Sequence, residues 1–301
     1  MIEAVQILWS PAGINMASLD PLALVDTTDG DTPNIRMPVR LLSVDTPEVT
    51  ARTAAGAARV DEKFSQLAGW IEQRSDVPIS RRFADYILAK IGTGRAGSLQ
   101  FEQGSEASAF AKQNAIDRLS MPDGAQRKLF IRMADSPFDD NGRLLAYIAP
   151  NYTDAERREM TRKQRATFNL DLIEHGWAAP LIIYPSIPGE LDLPLFLEEA
   201  TAAFDAPRGI WTNPDTLLAY EYRAVEKLHG ITKKIVEGER PRDRYSWRER
   251  YCLDMRSRVL HGPEDYFEIP APYRLWIWPQ DVNQAVGRLN LTPSARLVGA
   301  Q

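Results

Sequence analysis

Three charged turns in this sequence carry residue types that suit phosphodiester chemistry. TTDGDT holds Asp29 and Asp31, VRLLSVDTPE holds Arg40, Asp45, Thr46 and Glu48, and DDNGRLLAYI holds Arg143. Carboxylates drawn from two turns offer the oxygen ligands that Ca²⁺ prefers. Two arginines can clamp a phosphate with forked donors. A further carboxylate can activate a water. Each cluster alone has an ordinary explanation. An Asp-Gly-Asp turn is most often a solvated loop, and an arginine before a strand is commonly an exposed charge.

The elements that must position these residues are short strands followed by helices. Val39, Leu41, Leu42 and Val44 read as a buried strand, broken by Arg40 and Ser43 and stopped at Asp45-Thr46-Pro47-Glu48. LALVDTTDGDTPNI predicts strands around a turn at Asp29-Gly30. In residues 52–98, ARVDEKFSQLAGWIEQR and SRRFADYILAKI have apolar residues at helical spacing. GTGRAGS breaks the chain. It lacks the Lys-Ser/Thr ending of a phosphate-binding P-loop and reads as a flexible connector. SEASAFAKQNAIDRL predicts a further helix, and RKLFIRMADSPFDDNGRLLAYIAP two strands around a polar turn. RATFNLDLIEHGWA reads as a helix ending at Gly176, and LPLFLEEATAAFDAPRGIW as one ending near Pro207 or Gly209. The expected class is α+β, a small barrel with helices laid against it.

Composition is ordinary for a soluble globular protein. The 301 residues are 44% hydrophobic and 26% charged, with a formal net charge of −5. That balance counts against a broad basic surface coating nucleic acid. It leaves room for local recognition of a polyanion. No apolar run is long enough to span a membrane. The first twenty residues carry Glu3 and no basic lead before an apolar core, so no secretory signal is expected. The single cysteine, Cys252, permits no internal disulfide, and a cytoplasmic location is expected.

Taken together and in chain order, DGDT, VRLLSVDTPE, GSEASAF, DDNGRLLAYI, EHGWA and APRGIW resemble the staphylococcal nuclease (thermonuclease) family. The resemblance covers roughly residues 22–212, interrupted at 52–98, and VRLLSVDTPE is its most specific piece. It implies a five-stranded OB-fold barrel with packed helices. It divides the chain into a nuclease-like domain over 1–212, with a helical insertion at 52–98, and an unassigned C-terminal extension over 213–301. It implies Asp31 and Asp45 as Ca²⁺ ligands, with Thr46 contributing its backbone carbonyl. Glu48 would position or deprotonate the attacking water. Arg40 and Arg143 would hold the scissile phosphate. The implied activity is Ca²⁺-dependent hydrolysis of DNA, RNA or both. General chemistry agrees: a metal neutralises phosphate charge, and forked donors strengthen as phosphorus becomes five-coordinate. Asp29 reads as a turn-former rather than a direct ligand.

The sequence also departs from that family. Before the second arginine the family usually has Tyr-Gly-Arg, often preceded by Lys. Here Asp140 precedes Asn141-Gly142-Arg143. The lost stacking alone is worth roughly 1–3 kcal/mol, so weaker or altered substrate binding is expected. The 52–98 segment either caps the cleft or elaborates the packing away from substrate. Tyr184 is placed either near a nucleotide pocket or in the core.

Beyond residue 212 the resemblance is silent. Lys233, Lys234, Arg240, Arg242, Arg244, Arg248 and Arg250 interleave with Tyr245, Trp247 and Tyr251. Such a segment can follow a nucleic-acid strand, but Glu237, Glu239, Asp243 and Glu249 dilute it toward a solvated face. YRLWIWP reads as a buried strand with Trp276 and Trp278 on one face. His175, His229 and His261 have no metal-ligand spacing; His175 suits a helix end, and Cys252 reads as a buried thiol. Two other functions are open on sequence alone. One is a non-catalytic nucleic-acid- or protein-binding module on the same fold. The other is a nuclease whose C-terminal region meets a protein partner or a second copy.

Overall fold

Period-two apolar patterning builds the central strands and helical spacing builds the faces that cover them. The computed structural model describes residues 22–29 and 31–299. The lead-in of residues 1–20 and Gly30 of the expected turn lie outside the described residues. The order is β1 (Ala23–Thr27), β2 (Pro33–Arg36), β3 (Val39–Leu41), β4 (Ser43–Asp45), α1 (Ala54–Glu72), α2 (Arg81–Ile91), α3 (Ala96–Leu119), β5 (Leu129–Phe138) and β6 (Leu144–Pro150). Then come α4 (Asp154–Glu159), α5 (Phe168–Glu174), β7 (Ala179–Ile183), α6 (Leu193–Asp205), α7 (Ala219–Val236), β8 (Tyr251–Asp254), β9 (Val259–His261), β10 (Arg274–Ile277), α8 (Val282–Leu289), β11 (Thr292–Pro293) and α9 (Ala295–Gly299). The expected α+β class is observed. Among the described residues no helix is long and apolar enough to cross a membrane.

The packing divides the chain into two units. One runs to Arg40 and includes Met133–Ala146; the other holds Leu41–Arg132 and the chain from Tyr147 onward. The expected division at residue 212 is not where the packing divides. The strands form three open sheets: β1-β2, β3-β6-β5 and the six-stranded β11-β9-β8-β10-β7-β4. No closed barrel occurs among the described residues. One cause is local. Ser43 has a φ of 62°, which kinks the chain after β3, and β4 then pairs antiparallel with β7, with Asp45 opposite Ala179.

In the first unit, β1 and β2 form an antiparallel pair with an irregularity between Leu24 and Asp26. Asn34 Nδ2 ties it together, donating to Asp26 Oδ1 at 2.6 Å and to Thr28 Oγ1 at 2.9 Å.

The second unit has two apolar cores. On β7, β8 and β10, alternate side chains go to opposite faces. Leu181, Cys252 and Trp276 join α1, α2 and α7 residues such as Phe64, Ile87 and Leu228. Ile182, Leu253, Leu275 and Ile277 join Leu170 and Ile173 of α5 and Phe196 of α6. All four residues of β10 are buried, matching the buried strand expected for YRLWIWP. The strand ends at Ile277, however, so Trp278 lies beyond it, beside Arg250 at 4.7 Å. β10 lies between β7, to which it is parallel, and β8, to which it is antiparallel. The region after 212 thus supplies four of the six strands, β8 to β11.

The 52–98 segment packs into the core, with Phe64, Leu67, Ile87 and Ile91 each 0% exposed. The supposed connector GTGRAGS is partly helix, because α3 begins at Ala96. Asp61 of α1 accepts from the Gly97 N–H at 2.6 Å and the Ser98 N–H at 3.0 Å, satisfying donors that a helix start leaves open.

Candidate active site

Asp45 ends β4, and its side chain is completely buried. The next residues, Thr46-Pro47-Glu48, leave the sheet and run across α3. Gly104 of α3 permits that path: a Cβ there would lie 2.8 Å from the Pro47 carbonyl oxygen and 3.1 Å from that of Glu48. The Gln100 amide, one helical turn earlier, accepts from the Glu48 N–H at 2.8 Å and donates to the Leu217 carbonyl at 2.9 Å. The backbone at Glu48 is therefore held from below by two α3 residues.

The charge that meets these carboxylates comes from α7. Arg223 donates from Nη1 to Asp45 Oδ1 at 3.2 Å and from Nη2 to Asp45 Oδ2 at 2.8 Å, a forked pair. Its Nη1 also donates to Glu48 Oε1 at 2.5 Å. Burial works against the Arg223 charge, but Asp45 and then Glu48 outweigh it and push its pKa above the ordinary arginine value. Arg223 itself is fixed by its helix. Glu221, two residues earlier, accepts from the Leu218 N–H at 3.0 Å, from Tyr86 Oη at 2.6 Å and from Lys90 Nζ at 2.7 Å.

Further charges surround the trio. Arg250 is driven down from its usual pKa by burial, with Glu249 opposing; Arg223 adds to the fall and Asp45 opposes it. Glu226 is pushed up by burial, with Lys63 opposing and Glu48 adding.

The structure brings together Asp45 and Glu48 of the expected site. Thr46 lies between them in the chain. Asp31, Arg40 and Arg143 belong to the other unit. There Arg143 is held by Asp139, through Nε at 2.8 Å and Nη2 at 2.7 Å, while its N–H donates to Asp139 Oδ1 at 2.9 Å. Burial opposes ionisation of Asp139, but the Arg143 bonds prevail and lower its pKa. Asp31 is exposed and accepts from Thr32 Oγ1 at 3.2 Å. Asp29 forms the turn, accepting through its carbonyl from the Thr32 N–H at 3.4 Å, as expected of a turn-former. Its pKa is lowered, first by its side-chain bond to Thr32.

As arranged, these residues do not fit Ca²⁺. Both Asp45 oxygens face guanidinium N–H groups, and among the described residues no three His, Cys, Asp or Glu side chains form a group that could hold a metal.

The remaining candidates are structural. His175 caps α5, with Nδ1 2.9 Å from the Asp171 carbonyl. His229 is buried, stacked on Trp70 at 5.5 Å. Tyr184 is a core residue, 4% exposed, donating to Gln284 Oε1. The basic-aromatic segment is tied in at three points, Arg244 pairing with Asp76, Arg248 with Glu264, and Trp247 Nε1 donating to the Pro78 carbonyl, while Lys233, Lys234, Arg240, Arg242 and Tyr245 are exposed.

Sequence reasoning missed Arg223, which lies 178 residues from Asp45 and in no motif. Gly104 lies within GSEASAF, but its role in seating the Glu48 loop is visible only in the fold.

No protein-family model and no curated protein sequence matches this chain.

Proposed function

We propose that this chain is a phosphodiester hydrolase of the staphylococcal-nuclease type, acting on DNA or RNA. One observation carries the proposal. Asp45 and Glu48, named from the VRLLSVDTPE resemblance, converge on a single cation at 2.5–3.2 Å, on a loop held from beneath by Gln100 and Gly104. In this reading Glu48 takes the proton of a water that attacks phosphorus, and the ester P–O bond breaks on the opposite side. The resemblance would give the phosphate oxygens to Arg40 and Arg143, and Arg143 would have to leave Asp139 to take that part. No step is routed through a metal, because Asp45 is engaged by Arg223. The proposal includes an OB-type frame built from β1, β2, β3, β5 and β6, three strands before α1–α3 and two after.

A second reading has one observation in its favour. Arg143 is neutralised by Asp139, and Asp45 and Glu48 by Arg223, which suits a module that binds nucleic acid without cutting it. One experiment separates the two. Labelled single-stranded DNA and RNA are incubated with wild type and Glu48→Gln, with Ca²⁺, with Mg²⁺ and with chelator. Cleavage that falls about 100-fold or more in Glu48→Gln is the expected outcome. Equal cleavage by both proteins sinks the role given to Glu48. Retention of substrate without cleavage by either favours the binding module.

A further inference from the structure

Resting on the reading that Asp45 and Glu48 form the active carboxylate pair, we propose that Arg223 is the resident cation of that pair. A divalent ion reaches Asp45 only by displacing it.

The geometry is that of a filled site. Asp45 offers two oxygens and both are used, one by each terminal nitrogen of the guanidinium. The Asp45 side chain is 0% exposed, so it has no outward face for a second cation. A buried carboxylate needs a counter-charge, since an unpaired one is strongly disfavoured. Ca²⁺ would supply that charge but asks for six to eight oxygen ligands. A fork of N–H donors satisfies the same two oxygens with none. The position of Arg223 follows from the helix rather than from a mobile side chain alone, because Glu221 fixes the first turn of α7 through Lys90, Tyr86 and the Leu218 N–H. The Arg223 side chain is 35% exposed, so unlike its partner it has a route out.

Displacement gives the site a threshold. The chain carries its own inhibitor of metal loading, 178 residues away in sequence and in contact in space. A metal, or a bound polyanion, then loads at Asp45 only where it competes successfully for the guanidinium.

The test is titration of Ca²⁺ into the full-length chain by calorimetry, with thermal unfolding alongside. The proteins are wild type, Arg223→Gln, Arg223→Lys and Arg223→Gln with Asp45→Asn. Arg223→Gln is expected to bind Ca²⁺ at least tenfold more tightly than wild type and to gain thermal stability from it, as a ligand specific to the folded state must confer. Arg223→Lys keeps the charge without the fork and should fall between. The double variant should lose the gain. Equal affinity of wild type and Arg223→Gln overturns the proposal, as does a gain that survives Asp45→Asn. If Arg223→Gln does not fold, wild type decides. Micromolar Ca²⁺ binding that Asp45→Asn abolishes overturns the proposal, and weaker or no binding supports it. The readout is binding, so this idea and the nuclease reading fail separately. Tighter Ca²⁺ binding by Arg223→Gln, with no cleavage by wild type under any condition, removes the nuclease alone, whereas cleavage by a wild type that binds Ca²⁺ at micromolar levels removes the resident cation alone.

Discussion

Glu221 has no exposed surface yet carries a charge. Burial raises its pKa, but Lys90 and then Arg274 outweigh burial and lower it from 4.5. A carboxylate with a depressed folded pKa contributes stability above its unfolded value and loses it as pH falls through the folded one. Glu221→Gln removes that charge and leaves Lys90 and Arg274 facing a neutral amide. We expect it to cost about 3–5 kcal/mol at pH 7, the range for breaking a buried pair, measured by urea denaturation. Below pH 4.5 the difference from wild type should narrow, because the unfolded chain then takes up a proton that folded Glu221 resists. A constant difference down to pH 3 would show that shape, not charge, is what Glu221 supplies. The sequence revealed residue chemistry unevenly. Asp45 and Glu48 were legible because a strand-ending motif names both within four positions. Arg223 and Glu221 were not, because an ion pair closed across long stretches of chain leaves no spacing to read.

Helix α3 shows what local patterning hides. Its first half contains Gly97 and Gly104, which lower intrinsic helix propensity by about 1 kcal/mol each; Gly97, together with Gly92 and Gly94, is why GTGRAGS read as a break. Both are close-approach sites. A Cβ on Gly97 would meet the Ala57 carbonyl oxygen and Val60 Cβ at 2.7 Å, and one on Gly104 would meet Pro47. Gly104→Ala should therefore destabilise the fold by about 1–3 kcal/mol, the usual cost of overpacking, instead of gaining helix propensity. It should also lower any cleavage rate by displacing the Glu48 loop. Urea midpoints and initial rates on the same preparation check both, and a more stable, equally active variant would contradict the packing described. The EHGWA and APRGIW pieces meet in a similar way: Gly176 and Gly209, both at positive φ, lie back to back, and the Ile210 N–H donates to the Gly176 carbonyl at 2.9 Å. Strand β10, by contrast, was readable, since Leu275, Trp276 and Ile277 give the unbroken apolar run that a strand covered on both faces favours.

At the scale of the molecule, the sequence could not show that residues 213–301 belong to the same core as β4 and β7. A family resemblance that stops near 212 invites a domain boundary there, and nothing in composition marks the chain's return into the sheet. A chain ending after residue 212 would lack β8, β9, β10 and α7, and with them Leu253, Leu275, Trp276 and Leu228 from the two cores. It should be insoluble or unfolded by circular dichroism. A folded, active fragment would restore the two-part division. Of the segments that suggested a partner surface in this region, β10 and Trp247 pack internally, while Tyr245 stays 48% exposed.

The placement of β10 between β7 and β8 has a consequence in time. During synthesis, β7 (Ala179–Ile183), and β4 (Ser43–Asp45) earlier still, emerge well before β10 (Arg274–Ile277), the strand that joins them to β8. Non-local pairing of this kind is slow to form. Asp45 leaves the ribosome long before Arg223, so for that interval its buried carboxylate has neither its sheet nor its counter-charge. Maturation of the site is thus among the last events of folding, and a chain stalled in translation would carry the whole VRLLSVDTPE motif without the chemistry it encodes.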